Sequence, residues 1–249
     1  MFLFYVNPIL IAAAVIPAIV LLRFVYREDR LDKESPGMLL SLVLFGILAT
    51  FGALIAEQIG ESVLALLVPP YTRAYNAILY FVVVALSEEG FKYLLLKKRT
   101  WWSREFNCQF DGVVYAVFVS LGFALWENIS YVVMYGLGTA LVRAVTAIPG
   151  HACFGVFMGA FYGLAKRYDH FGDEYRSRRC RRLAVWVPVV LHGCYDYIAT
   201  YEYDGYAWIF VGFVVLLFAA AYRMIKRLAR DDRFIDGDDD YNYYNGPEL

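Results

Sequence analysis

Two neighbouring glutamates, Glu88 and Glu89, lie in the run VVVALSEEGFKYLLL, which is otherwise apolar and long enough to cross a bilayer, and Lys92 follows one helical turn later. Ionisable groups inside a membrane segment are costly and usually face the interior of a helix bundle, where they mark a site. The other such groups in apolar segments are Asp111, Glu127, Arg143, His151, His192 and Asp196. Together they contain what the activation of water requires: a carboxylate can serve as general base, and imidazoles can bind a metal or polarise a carbonyl. Glu88 and Lys92 are spaced i,i+4 with the acid first, so the lysine can partner one carboxylate and leave the other free. His192 and Asp196 share that spacing, which lets the aspartate hold the imidazole or join it in binding. Phe123, Glu127 and Tyr131 fall on one helical stripe, and Arg143 precedes His151 by two turns.

The elements that must position these groups are membrane helices. Of 249 residues, 60% are hydrophobic, against ~45–50% for a soluble domain. An all-α polytopic membrane protein is expected, with a single helical domain over residues 1–230 and an acidic, disordered tail over 231–249. Seven segments have the ~20 mostly apolar residues a span needs: 4–24, 38–56, 76–96, 110–134, 141–165, 183–200 and 206–223. The first is read as a span and not as a signal peptide, because it ends at Arg23 without a small-residue cleavage site. The short apolar piece from Glu61 to Tyr75, with Pro69–Pro70, reads as interfacial or re-entrant. If the spans alternate, 20 of the 23 Lys and Arg fall on one side, which places the N-terminus outside and the C-terminus in the cytoplasm.

At ~1.5 Å per helical residue, Glu88 lies ~18 Å and His151 ~15 Å from the outer face, and His192 ~15 Å from the inner one, close to the midplane of a ~30 Å core. Glu127 is somewhat nearer the exterior. Gly155, Gly159 and Gly163 make a small-residue stripe on the His151 span, which lets a neighbouring helix approach closely. The four cysteines show no C-x-x-C spacing and read as free thiols. No nucleotide-binding loop, internal repeat or nucleic-acid partner is expected; the lipid bilayer is the expected surrounding.

At these residues the sequence resembles the PrsW family of intramembrane proteases. EEGFK supplies Glu88, Glu89 and Lys92; DGVVYAVFVSLGFALWENISY supplies Asp111, Phe123, Glu127, Asn128 and Tyr131; RAVTAIPGH supplies Arg143 and His151; HGCYD supplies His192 and Asp196. The four motifs occur in order, and the family core covers about residues 76–200. The resemblance implies an endopeptidase that cuts in or near the membrane segment of a single-span substrate, an anti-sigma factor being one candidate. Glu88, Glu89, His151 and His192 are then the catalytic candidates. Lys92, Asp111, Glu127, Asn128, Tyr131, Arg143 and Asp196 support them. His151, His192 and Glu127 are candidate ligands for a divalent metal such as zinc. There is no H-E-x-x-H, so such ligands must come from separate helices, and a metal-free glutamate site would use the same residues. Two readings from other classes stay open at this point: a proton-coupled transporter, and a non-catalytic scaffold or immunity protein.

Overall fold

The computed structural model describes residues 8–200 and 204–237, and among these it contains helices and no strands. In chain order they are α1 (Pro8–Glu28), α2 (Pro36–Leu67), α3 (Arg73–Ile78), a π-helical turn (Leu79–Val84), α4 (Ala85–Thr100), α5 (Asp111–Tyr135), α6 (Leu137–Val145), α7 (Ala147–His170), α8 (Glu174–Ala199) and α9 (Asp204–Arg230). α3, the π turn and α4 run on as one rod, and α6 with α7 as another, so the bundle has seven rods where seven spans were expected. Four of them, 36–67, 111–135, 137–170 and 205–230, are long and apolar enough to cross a membrane by length and composition. This is an all-α polytopic membrane protein.

Three boundaries differ from the sequence expectation, each for a local reason. α2 does not stop near residue 56 but continues through Ile59, Val63 and Leu67, because nothing interrupts it before Pro69–Pro70. The expected separate piece from Glu61 to Tyr75 is therefore the end of α2, a turn in which Tyr71 has a φ of 63°, and the start of α3, capped by the Thr72 side chain. The span expected over 141–165 is broken at Thr146, since the Pro149 ring crowds the carbonyl four residues earlier. The acidic tail is partly folded. Ile235 donates to the Asn107 carbonyl and Gln109 to the Arg233 carbonyl, which straps residues 231–237 to the α4–α5 loop. Residues 238–249 lie outside the described residues.

α5 is the centre of the bundle: 78% of its apolar window is buried, against 33% for α2 and 22% for α9. Its neighbours reach it backbone to backbone. A Cβ on Gly159 of α7 would collide with the Gly112 carbonyl, and one on Gly46 of α2 with the Val119 carbonyl. α5 is thus held between α2 and α7 at a distance that small residues alone permit.

The basic connections meet at one end of the bundle. There Arg99 donates to Ser41, Lys226 pairs with Glu28, and Arg167 donates to the Phe234 carbonyl. Buried among them are Asp29, Glu34 and Asp111. Burial pushes the Glu34 carboxyl up to about 8, and the negative charges of Asp29 and Glu105 add to it. The folded chain keeps that proton at pH values where the unfolded chain, titrating near 4.5, has lost it. Stability from this group is therefore present at low pH and lost as the pH rises through about 8.

Two outcomes are expected. Gly159→Val should destabilise the detergent-solubilised protein by at least ~1–3 kcal/mol, read as a lowered melting temperature, because backbone atoms cannot move aside as a side chain would. In a pH series the melting temperature should fall between about 5 and about 8, and Glu34→Gln should flatten that slope.

Candidate active site

The rod carrying Glu88 and Glu89 includes the π turn, in which Ala85 donates to the Tyr80 carbonyl five residues back. That turn inserts one residue and rotates everything after it by ~100° relative to an uninterrupted α-helix. α4 then directs both glutamates and Lys92 into the bundle: Glu89 and Lys92 are fully buried and Glu88 nearly so.

Lys92 is the hub. Its ammonium lies 3.0 Å from Glu88 Oε2, 2.8 Å from Glu89 Oε1 and 3.1 Å from His151 Nδ1. The Phe123 ring lies beneath it, 4.0 Å from Nζ to centroid. An ammonium has three protons and no acceptor, so each of these contacts is a donation by Lys92. His151 Nδ1 therefore carries a lone pair, and its proton sits on Nε2, donated to Glu127 Oε2 at 2.9 Å. His192 presents Nδ1 to Glu89 Oε1 at 3.0 Å and Nε2 to Asp196 Oδ2 at 3.3 Å. The two imidazoles stand edge to face with centroids 5.3 Å apart, and Phe154 stacks on His192 at 4.7 Å.

Both histidines follow one pattern: Nδ1 turns toward the glutamate pair while a carboxylate holds Nε2 from behind. Glu127 is fixed in turn by Arg143 at 3.0 Å, and Arg143 donates to Asn128, which donates to the Ala14 carbonyl of α1. The Arg143 guanidinium also covers Tyr131, 4.1 Å from its ring centroid. A cavity of about 290 Å³ opens onto this centre, walled by α2, the π turn, α5, α6, α7 and α8.

The structure thus gathers Glu88, Glu89, Lys92, Glu127, Asn128, Tyr131, Arg143, His151, His192 and Asp196 from four rods. Two sequence expectations come out differently. Asp111 is at the first turn of α5, 16 residues or ~24 Å from Glu127, where it accepts from the Asn107 and Cys108 amides and shapes the α4–α5 loop. Glu127 does not join the inner donor group but stands behind His151, because its carboxylate is already engaged with Nε2 and Arg143. One residue was missed altogether. Glu57 lines the cavity from α2, and the signal for it was the lack of any proline between residue 56 and Pro69–Pro70 that would end the helix.

The sequence model of the PrsW family of intramembrane metalloproteases matches residues 34–222. The chain belongs to that family. It is 33% identical to Protease PrsW of Geobacillus kaustophilus over 88% of this chain and 91% of the relative, and 30% identical to that of Halalkalibacterium halodurans over 90% and 99%. Protease PrsW of Bacillus subtilis is 29% identical over 88% of this chain and 94% of that one. No solved structure matches it. As a PrsW-family protein the chain is an intramembrane peptidase, embedded in the bilayer as a multi-pass protein.

The family's description implies a metal, and the donor set here fits one. One ligand atom each from Glu88, Glu89, His151 and His192 lie within 4.8 Å of one another, all buried. Glu89 Oε2 is buried with no hydrogen-bond partner. An imidazole that ligates through one nitrogen while a carboxylate grips the other is the usual arrangement around catalytic metals. Removing that grip is the direct test: in protein that still folds, Glu127→Gln and Asp196→Asn should each lower peptidase activity or metal affinity ~10–100-fold.

Proposed function

We propose that this PrsW-family protein hydrolyses a peptide bond in or beside the membrane segment of a single-span substrate, with Glu88 as general base and Glu89, His151 and His192 as holders of a zinc-like divalent ion. The observation that carries the assignment is the unequal exposure of the two adjacent glutamates. Glu88 lines the cavity, whereas Glu89 is sealed behind it against Lys92 and His192. A base must reach water and substrate; a ligand need not.

Two imidazoles and one carboxylate form a recurrent catalytic zinc set, and a metal held by Glu89, His151 and His192 would supply Lewis acidity. The chain's own groups do the rest. Glu88 takes a proton from water at Oε and returns it to the departing amine nitrogen. Lys92 limits the cost of placing two carboxylates side by side in a low-dielectric interior. Glu127 and Asp196 keep both Nδ1 atoms turned inward. Tyr80, Tyr131 and Tyr195 line the wall along which an extended segment would lie.

The preferred orientation puts the basic end of the bundle in the cytoplasm and the N-terminus outside, following the side on which Lys and Arg concentrate. A membrane-anchored anti-sigma factor fits the substrate class, since one span and a flanking extramembrane segment are all that the cavity requires. With purified protein and a single-span substrate in liposomes, Glu88→Gln should reduce cleavage ~10²–10⁴-fold while leaving bound metal in place. Glu89→Gln and His192→Ala should lose metal by elemental analysis, and a chelator should abolish cleavage reversibly. Cleavage that survives both the chelator and Glu88→Gln would overturn the assignment.

A further inference from the structure

The charges around the centre nearly balance, and one acid is left over. Glu88, Glu89, Glu127 and Asp196 each have a partner: the first two share Lys92, the third has His151 and Arg143, and the fourth has His192. Lys92 and Arg143 offset two of these four negative charges. A divalent ion would offset the other two. Glu57 stands outside this balance. Among the described residues no basic side chain forms an ion pair with it and no group donates a hydrogen bond to it, and it shares the cavity wall with two further carboxylates, Glu88 and Glu127.

Its position is specific. Thr50, Leu54 and Glu57 are spaced i, i+4, i+7 and present one edge of α2 to the cavity, and Glu61, one turn further on, is exposed. α2 has 32 residues, about 48 Å, and Glu57 lies ten residues, or ~15 Å, from the end opposite the basic loops. If α2 is centred on a ~30 Å hydrocarbon layer, Glu57 sits ~6 Å inside its boundary. That is the depth from which a lysine or arginine flanking a membrane segment snorkels toward the headgroups. An uncompensated carboxylate at that depth is costly, and a cation brought by the substrate would remove the cost.

We infer that Glu57 is a specificity-determining residue, which binds a lysine or arginine flanking the cleaved bond of the substrate, on the side of the cavity away from the basic loops. This rests on the hydrolytic reading of the cavity and adds the chemical class of substrate that it selects. Glu57 takes no part in proton transfer: it sets which segment is held against Glu88, not how fast the bond breaks.

The test uses the full-length protein in liposomes with a set of single-span model substrates, identical except for Lys, Ala or Glu scanned through the positions flanking the cut. The unaltered protein should show a kcat/KM preference of about tenfold for Lys over Ala at one position, the size of a charge-assisted pair. In Glu57→Gln that ratio should fall toward one, with the change in KM. In Glu57→Lys it should invert to favour Glu at the same position. Because Glu57→Gln is isosteric, it carries the test even if the charge reversal fails to fold. A Lys-to-Ala ratio unchanged by Glu57→Gln would overturn the inference, and so would a fall in kcat shared equally by all substrates, which would make Glu57 a proton-transfer group. If the unaltered protein cleaved no member of the set, the hydrolytic reading and this inference would fall together.

Discussion

A fully buried ammonium bonded to three acceptors is the constraint on which the rest of the site depends. Lys92 cannot be left unpaired in a bilayer, and Glu88 and Glu89 cannot be left without it. The three proton donations of Lys92 join α4 to itself and to α7. Glu89 then carries the link on to His192 of α8, and His151 carries it to Glu127 of α5. Four helices are thereby tied by one polar network whose members cannot be removed singly without stranding a charge. Such networks are individually weak evidence for stability, but they specify one arrangement strongly, because a half-satisfied version is worse than none. The same balance explains how a metal fits. Glu88, Glu89, Glu127 and Asp196 face only Lys92 and Arg143 as permanent cations, so a divalent ion would neutralise charge instead of adding it to the membrane interior.

Side chains as short as these reach one another only if the helices are close, and that closeness comes from glycine. Gly159 faces Gly112 between α7 and α5, and Gly46 faces the Val119 carbonyl between α2 and α5. Lipid gives helices no hydrophobic reason to associate, so tight backbone packing and interhelical hydrogen bonds must do it together. Beyond the centre, the chain Glu127–Arg143–Asn128–Ala14 anchors the break at Thr146 to α1. Just before that break, Arg143 at the end of α6 reaches Glu127 of α5 at 3.0 Å.

Much of this was legible in the sequence because straight helices convert residue counts into depth. Glu88–Lys92 and His192–Asp196 follow from i,i+4 spacing, and the shared depth of His151, His192 and the glutamate pair follows from counting inward from each span's end. The same arithmetic explains the failures. Asp111 sits in a span by composition but at its first turn, and an ionisable group at a helix end is free to serve a loop, as it does for the Asn107 and Cys108 amides. Glu57 was lost because a span was closed after ~20 residues, as the bilayer requires, whereas the helix obeys its own stop signal at Pro69–Pro70. The π turn before Glu88 has no sequence signature at all. Its residues Val83 and Phe81 pack against Gly60 and Gly193, contacts between residues far apart in the chain.

The cavity's shape bears on how a membrane segment can be cut. In a helix each backbone carbonyl is tied to an amide four residues on, so a scissile bond in lipid is shielded and its neighbours cannot be released without replacement partners. Irregular backbone at membrane depth is tolerated only where protein or water satisfies it. On the proposed reading, a cavity of about 290 Å³ with a mixed wall, in which Glu57, Glu88, Glu127, His151, His192 and Asp196 supply the polar groups, is a place where a few residues of a substrate would leave helical geometry without meeting lipid. The half of α2 away from the basic loops, which carries the cavity-lining Glu57, is apolar on its exposed side, with Ile55, Ile59 and Leu66 exposed. On the proposed reading, unwinding and hydrolysis share one requirement: both need polar groups held inside the bilayer, and the network that keeps Lys92 satisfied would supply them.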